Sequence, residues 1–343
     1  MSLNLASIVF ESAKKHKKQR ALAPHVTYEM LAGRVDFFAQ ILKTKGVRPG
    51  DCVALVSENR QEFTYAYFAI LTVGAVVVPI NILLAPREVT FCLNHAQVGM
   101  VVFSPLVRET VIASVKQANI QPMLFCLDEL EYENITSCAF LNNQDIYPTS
   151  SDDTAVIFYT SGTTGNPKGA EVTHFNLYSN AQWVSERSLA NGTQMPTYWG
   201  VGQCTLAVLA LSHSFGQTCM QNAPLLNGGC ISYLSKFNVP DLLDKMIQDR
   251  VTILAAVPRM IQDLLKAPLV DMKKLQAFKY CLVGGAPIDQ KVVEQFESKF
   301  NVAVLEGYGL SETSPVIAFR TPEIPRKQGS VGRAIRGVDI RVV

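Results

Sequence analysis

From Tyr159 to Gly169 the chain runs Tyr-Thr-Ser-Gly-Thr-Thr-Gly-Asn-Pro-Lys-Gly. Thr160, Ser161, Gly162, Thr163, Thr164, Gly165 and Asn166 offer only glycine, hydroxyl or amide chemistry. With so little side-chain bulk, backbone N–H groups can converge on one point, the hydroxyls add donors, and Lys168 brings a mobile positive charge. Polyphosphate is the ligand such a set suits. The arrangement is not a Walker A loop, because Lys168 lies between Pro167 and Gly169 rather than between Gly and Ser or Thr. Composition alone would equally describe a polar surface loop. Order argues for the phosphate grip: the apolar strand Ala155-Val156-Ile157-Phe158 leads in, and Val172-Thr173-His174-Phe175-Asn176-Leu177 follows.

Three later stretches carry chemistry at strand ends. Leu211-Ser212-His213-Ser214-Phe215-Gly216 places an imidazole and a phenyl ring after an apolar run; a lone histidine there would also serve as a satisfied core residue. Val283-Gly284-Gly285-Ala286-Pro287 lacks side chains where ligands dock in open α/β sheets, and also reads as a plain strand-to-helix turn with Pro287 at the first helical position. In Leu305-Glu306-Gly307-Tyr308-Gly309-Leu310-Ser311-Glu312-Thr313, Tyr308 offers a ring to stack on a base, Ser311 a hydroxyl and Glu312 a hard oxygen ligand for Mg²⁺.

Taken together these four strings resemble the signatures of the acyl-adenylate-forming (AMP-binding) superfamily, and the resemblance covers nearly the whole chain. Within it, Asp152-Asp153-Thr154-Ala155-Val156, Leu177-Tyr178-Ser179-Asn180-Ala181 and Val257-Pro258 with Met260 look like bacterial long-chain fatty-acid CoA ligases. Many members have Thr where Ser311 stands, and amino-acid-activating relatives place an aspartate near His213 that this chain lacks. The resemblance implies a two-step reaction on a fatty acid, ATP and CoA. Carboxylate attacks the α-phosphorus to give acyl-AMP, and the CoA thiol then displaces AMP. It implies that Thr160, Ser161, Gly162, Thr163, Thr164, Gly165 and Lys168 hold the phosphates and Glu312 the metal. Gly285, Ala286, Pro287, Glu306, Gly307, Tyr308, Gly309 and Ser311 would contact the nucleotide. His213, Phe215, Gln217, Gly284, Gly309, Pro315 and Val316 would line the acyl site, with Lys168, His213, Ser311 and Glu312 closest to the chemistry. Two alternatives stay open: an adenylate-former with a carrier protein as acceptor or one that oxidises its acyl group, and a catalytically dead ATP/AMP-binding module.

Around these motifs strands and helices alternate, which argues a layered α/β fold. The expected organisation is two stacked α/β subdomains, 1–185 and 186–318, with 319–343 beginning a small β-barrel. Val338 to Val343 alternates as a strand and then stops, so the chain reads as a fragment without the family's mobile C-terminal domain, poorly active alone. Helices are expected over 28–45, 63–73, 109–118, 175–188, 240–249, 258–266 and 289–300, and strands over 52–56, 75–78, 98–103, 123–127, 204–211, 230–233, 251–257, 280–283 and 302–305.

The hydrophobic share of 48% and charged share of 17% in 343 residues belong to a core-rich globular protein, and the net charge of +2 makes no case for nucleic acid. Lys14 to Arg20 is a basic cluster at the end of a helix with Leu5, Ile8, Val9 and Ala13 on its apolar face. It reads as a solvated helix terminus, with weak peripheral contact to an anionic membrane as the alternative. The eight cysteines show no metal-ligand spacing and suit a reducing cytoplasm, and the apolar run 66–80 is too short and interrupted to span a bilayer.

Overall fold

The computed structural model describes residues 3–343 apart from 133, 136–145, 161–166, 189–193, 196, 269–271, 322 and 324. Helix α1 (Ser7–His16) packs Ile8, Val9 and Ala13 into the core, as their spacing predicts, with Leu5 buried just before it, and ends in Lys14, Lys15 and His16. Two short strands, β1 (Arg20–Leu22) and β2 (Val26–Thr27), precede helix α2 (Tyr28–Thr44), where the Thr27 hydroxyl caps the first turn by accepting from the Met30 amide. Then β3 (Cys52–Val56), α3 (Gln61–Thr72), β4 (Val76–Ile80), α4 (Pro86–His95), β5 (Met100–Phe103), α5 (Arg108–Gln117) and β6 (Met123–Cys126) alternate. The hairpin β7 (Thr154–Thr160) and β8 (Lys168–Thr173) and helix α6 (His174–Ser185) complete the first layer.

The first sheet has the order β6-β5-β3-β4-β7-β8, parallel except for the antiparallel β7–β8 pair. Such strands are covered on both faces, and Val53, Ala54, Leu55 and Val77 are fully buried. After a small hairpin of β9 (Arg187–Ser188) and β10 (Gln194–Met195), the chain enters a nine-stranded sheet. Its strands are β11 (Cys204–Ala207), β12 (Cys230–Tyr233), β13 (Ile253–Ala256), β14 (Tyr280–Val283), β15 (Ala303–Gly309), β16 (Val316–Phe319) and β17 (Arg333–Ala334), joined by β1 and β2. The helices between them are α7 (Ser214–Gln217), continuing through a π-turn (Thr218–Asn222) into α8 (Ala223–Leu226), then α9 (Val239–Gln248), α10 (Pro258–Lys266) and α11 (Gln290–Phe300). The expected layered α/β architecture is therefore present, with two sheets.

Several elements depart from expectation. The strand foreseen over 204–211 stops at Ala207, because residues 208–213 turn out of the sheet, and a helix absent from the sequence reading follows. β15 runs on to Gly309 because β16 pairs antiparallel with it, Gly307 facing Phe319 and Gly309 facing Val316. Pro287 does not open a helix: α11 begins three residues later, capped by the Asp289 carboxylate accepting from the Lys291 amide at 2.7 Å. β16 and β17 extend the sheet edge and close no barrel among the described residues. Residues 338–343 form no strand: the Val338 amide closes a local turn on the Ile335 carbonyl at 3.2 Å, and Val342 and Val343 are exposed. Six cysteines are buried and Cys52 partly so; Cys138 lies outside the described residues. Among the described residues no helix is long and apolar enough to cross a membrane.

His174, at the start of α6, is buried and accepts a hydrogen bond at its Nδ1 from the Leu5 amide at 3.0 Å, which fixes the N-terminal segment to the first layer. Burial lowers its pKa to about 4, against a smaller opposing pull from Asp153. The unfolded chain therefore binds this proton first, so the stabilisation is complete above about pH 6.5 and is lost as pH falls toward 4. That pKa difference corresponds to about 3 kcal/mol. Unfolding titrations in urea should show the native chain weakening over this window, and His174→Gln should flatten the decline.

Candidate active site

The parallel strands of the larger sheet deliver their carboxyl ends to one side, and the sequence motifs hang there. His213 precedes α7 and stands at a cavity rim, where the surrounding protein atoms lower its pKa and favour the neutral imidazole. Phe215 on α7, Gly284 and Gly285 after β14, and Tyr308 and Gly309 on β15 line the same cavity of about 160 Å³. Gly307, Ser311, Pro315 and Val316 complete the expected set.

Local backbone chemistry explains why these residues converge. A Cβ at Gly309 would overlap the Pro315 carbonyl, and one at Gly284 would stand 3.3 Å from the Gly307 carbonyl oxygen and 3.4 Å from the Phe215 ring. Gly309 allows an approach that any side chain would prevent, while at Gly284 a side chain would require its neighbours to give by a few tenths of an ångström. Ser311–Thr313 forms a 3₁₀ turn held by the Thr313 hydroxyl, which accepts from the Leu310 amide at 3.0 Å. The Ser214 hydroxyl donates to the Ser311 hydroxyl at 3.2 Å, tying α7 to that turn.

The phosphate motif enters from the other sheet. Thr160 and Lys168 are register partners at the end of the β7–β8 hairpin, and β8 packs against the turn Ser311–Thr313. Ser161, Gly162, Thr163, Thr164 and Gly165 lie outside the described residues. Lys168 and Glu312 are both exposed. Glu312 gives one hard oxygen ligand, and among the described residues no group of three or more metal-ligating side chains gathers. One carboxylate suits a Mg²⁺ ion whose other ligands are phosphate oxygens and water.

Besides Thr160, Lys168 and Glu312, four expected residues do not line the cavity. Gln217 is fully buried and does not line it; its amide nitrogen donates to the Leu211 carbonyl at 3.2 Å. Ala286 is exposed beyond β14. Pro287 and Glu306 line a neighbouring hollow of about 560 Å³, where Glu306 lies 3.3 Å from the Arg326 guanidinium. Conversely, Ser214, Cys219, Leu282 and Phe319 line the cavity without having been expected. Their signal was weak: Phe215 and Cys219 are i, i+4 on a helix that Gly216, Thr218 and Gln221 disguise.

Two asparagines hold the cavity walls. The Asn59 amide nitrogen donates to the carbonyls of Ala207 (3.0 Å) and Leu209 (2.9 Å), while its oxygen accepts from the Leu211 amide at 2.9 Å. Asn180 donates to the Val316 carbonyl at 2.8 Å and accepts from the Val316 amide at 3.2 Å. Asn180→Ala would leave two buried backbone groups unpaired and should cost about 2–4 kcal/mol in chemical denaturation, with Asn180→Asp recovering only the amide contact.

The family model described as AMP-binding enzyme matches residues 9–343. The feruloyl-CoA synthase of an Amycolatopsis species is 30% identical over 321 residues, 92% of this chain and 61% of that protein. The 4-coumarate–CoA ligase 3 of Arabidopsis thaliana is 28% identical, over 87% of this chain and 54% of that protein. The chain thus spans about three fifths, or less, of the length of these relatives. Among solved structures, the inhibitor-bound N-terminal domain of FACL13 from Mycobacterium tuberculosis superposes with a TM-score of 0.84 at 25% identity, covering 98% of this chain and 83% of that one. ATP-bound MatB from Rhodopseudomonas palustris gives 0.82 at 26% identity, covering 98% and 65%.

Proposed function

Because this chain belongs to the AMP-binding enzyme family, we propose that it carries the carboxylate-activating site of an AMP-forming acid–thiol ligase. The observation that carries this reading is the meeting of His213, Gly284, Tyr308 and Ser311 around one cavity, with the Lys168 strand packed on the Ser311–Thr313 turn. A carboxylate oxygen attacks the α-phosphorus of ATP, the bond to pyrophosphate breaks, and the thiol of CoA then displaces AMP from the acyl adenylate. Tyr308 and the Gly285 backbone hold the adenine, the Ser311 hydroxyl meets the α-phosphate, and Lys168 with Thr160 to Gly165 takes the β and γ phosphates. Glu312 would hold Mg²⁺, which when bound neutralises developing charge. The neutral His213 can hydrogen-bond the acyl group without adding charge to the rim.

The acyl group expected from the sequence is a long-chain fatty acid. A second reading, a compact apolar acid, is supported by the cavity wall, of which Phe215, Phe319 and Leu282 form part. The relatives named for feruloyl and 4-coumaroyl thioesters support that reading.

ATP–pyrophosphate exchange with Mg²⁺ and a panel of fatty and arylpropenoic acids tests both readings. Acid-dependent exchange is expected, with Lys168→Ala or Glu312→Gln lowering it by about 10²–10³-fold. The best acid fixes the substrate class, and adding CoA or a carrier protein identifies the acceptor. ATP binding without exchange for any acid would favour the nucleotide-binding module instead.

A further inference from the structure

Five adjacent parallel strands of the larger sheet, β14, β13, β11, β12 and β1, begin on the side away from the candidate active site. The residues that open or precede them floor a hollow of about 620 Å³. Three cations reach it from separate elements: Arg20 opens β1, Arg250 follows α9, and Lys279 precedes β14. Arg20 is the last residue of the basic cluster that stands out in the sequence. Among the described residues no carboxylate lines the hollow.

Elsewhere on the surface Lys14 pairs with Glu11, Lys17 with Glu29 and Arg259 with Asp263, so charge there is balanced locally. Arg250 and Lys279 form no ion pair among the described residues. Asp249, the acid beside Arg250 in the chain, is taken by the Ser232 hydroxyl at 2.6 Å and by Lys245 at 3.0 Å. Its backbone carbonyl accepts from the Arg20 guanidinium at 3.0 Å, which brings Arg20 and Arg250 to the same end of the hollow. Arg250 itself stands in left-handed backbone, φ 55°, where α9 closes with the Val251 amide donating to the Met246 carbonyl at 3.0 Å. Glycine is the residue that suits this place, so the guanidinium is kept there at a backbone cost, and such outliers point to function. The Gln203 side-chain oxygen, on the same floor, is shielded from solvent and has no hydrogen-bond partner among the described residues. Turned about its amide axis, that group presents two donors to an anion.

We propose that this hollow is a second anion site, one that binds a small molecule carrying linked phosphates. The planar forks of Arg20 and Arg250 match the paired oxygens of one phosphate, and the Lys279 ammonium meets a further one as a point charge. Four strand spacings of about 4.8 Å separate β1 from β14, roughly 19 Å along the floor, and the long side chains narrow that span from both ends. A single compact anion would meet the arginine end alone, whereas a chain of phosphates reaches the lysine as well. A concave wall lined by one sign of charge also concentrates such an anion from solution. The site is independent of the proposed carboxylate activation, because it lies at the amino ends of the strands whose carboxyl ends carry the candidate active site.

The test uses the native chain with inorganic triphosphate as the probe in Mg²⁺-free buffer, titrated by calorimetry and located by amide hydrogen exchange. Protection is expected over 201–204, 250–252 and 276–279. Arg250→Gly and Lys279→Gln should each weaken binding at the hollow by about tenfold or more, and added salt should weaken it further. Arg250→Gly removes the charge while giving the φ 55° position its favoured residue, so its melting temperature should not fall; lost binding is then separable from lost folding. Lys168→Ala should leave the protection at the hollow unchanged, which keeps this outcome distinct from that of ATP–pyrophosphate exchange. The proposal is overturned if triphosphate leaves 201–204, 250–252 and 276–279 unprotected, or if both variants bind as the native chain does. It is equally overturned if phosphatidylglycerol vesicles protect these segments and triphosphate does not, since the cations would then face a membrane.

Discussion

The candidate active site depends on two side-chain amides that reach from the first layer into the second. Asn59, just beyond β3, satisfies three backbone groups of the turn after β11, and Asn180 on α6 satisfies both backbone groups of Val316. Buried backbone groups left unpaired are costly, and these two side chains supply partners from the other layer. The two layers are therefore locked together at the rim of the cavity, where a sliding of one against the other would displace His213 and Pro315. Serine and threonine hydroxyls add to this lock: Thr218 donates to the Ser314 carbonyl at 3.2 Å, and Ser214 reaches Ser311.

Charge is distributed differently from packing. The cavity is walled largely by glycine backbone and by apolar groups such as Phe215, Leu282 and Val316, while Lys168 and Glu312 stand in the open at its approaches. The proposed acyl group and polyphosphate would make opposite demands on their surroundings, and the separation would meet both. A neutral His213 at the rim avoids placing a second fixed charge between them.

The sequence was most informative where pattern and backbone geometry coincide. Alternating helices and buried strands, such as α10 and β14, appear where their periodicity puts them, because one apolar face must be covered. The glycine-bearing motifs likewise meet at strand ends, since only there can backbone approach a ligand so closely. What stayed hidden was decided by distant partners. β1 has only three residues and exists because β12 and β2 flank it, and the π-turned helix after His213 is polar along Gln217, Thr218, Gln221 and Asn222, so no apolar stripe announces it. Asn59 looked like any loop asparagine, because its three acceptors and donors lie some 150 positions away in the chain.

The route of the chain through the two sheets also orders its assembly. β3 to β8 supply the whole smaller sheet from one continuous stretch, whereas Leu22 of β1 finds its parallel partner only at Ile231. Closing so long a loop carries an entropic penalty that local pairings avoid, and on a ribosome the partner strand emerges only after the whole smaller sheet. The segment around β1 therefore docks in two stages: α1 and β1 meet α2 and β2 at once, and their contacts with α8 and β12 wait until the chain has been made through β12.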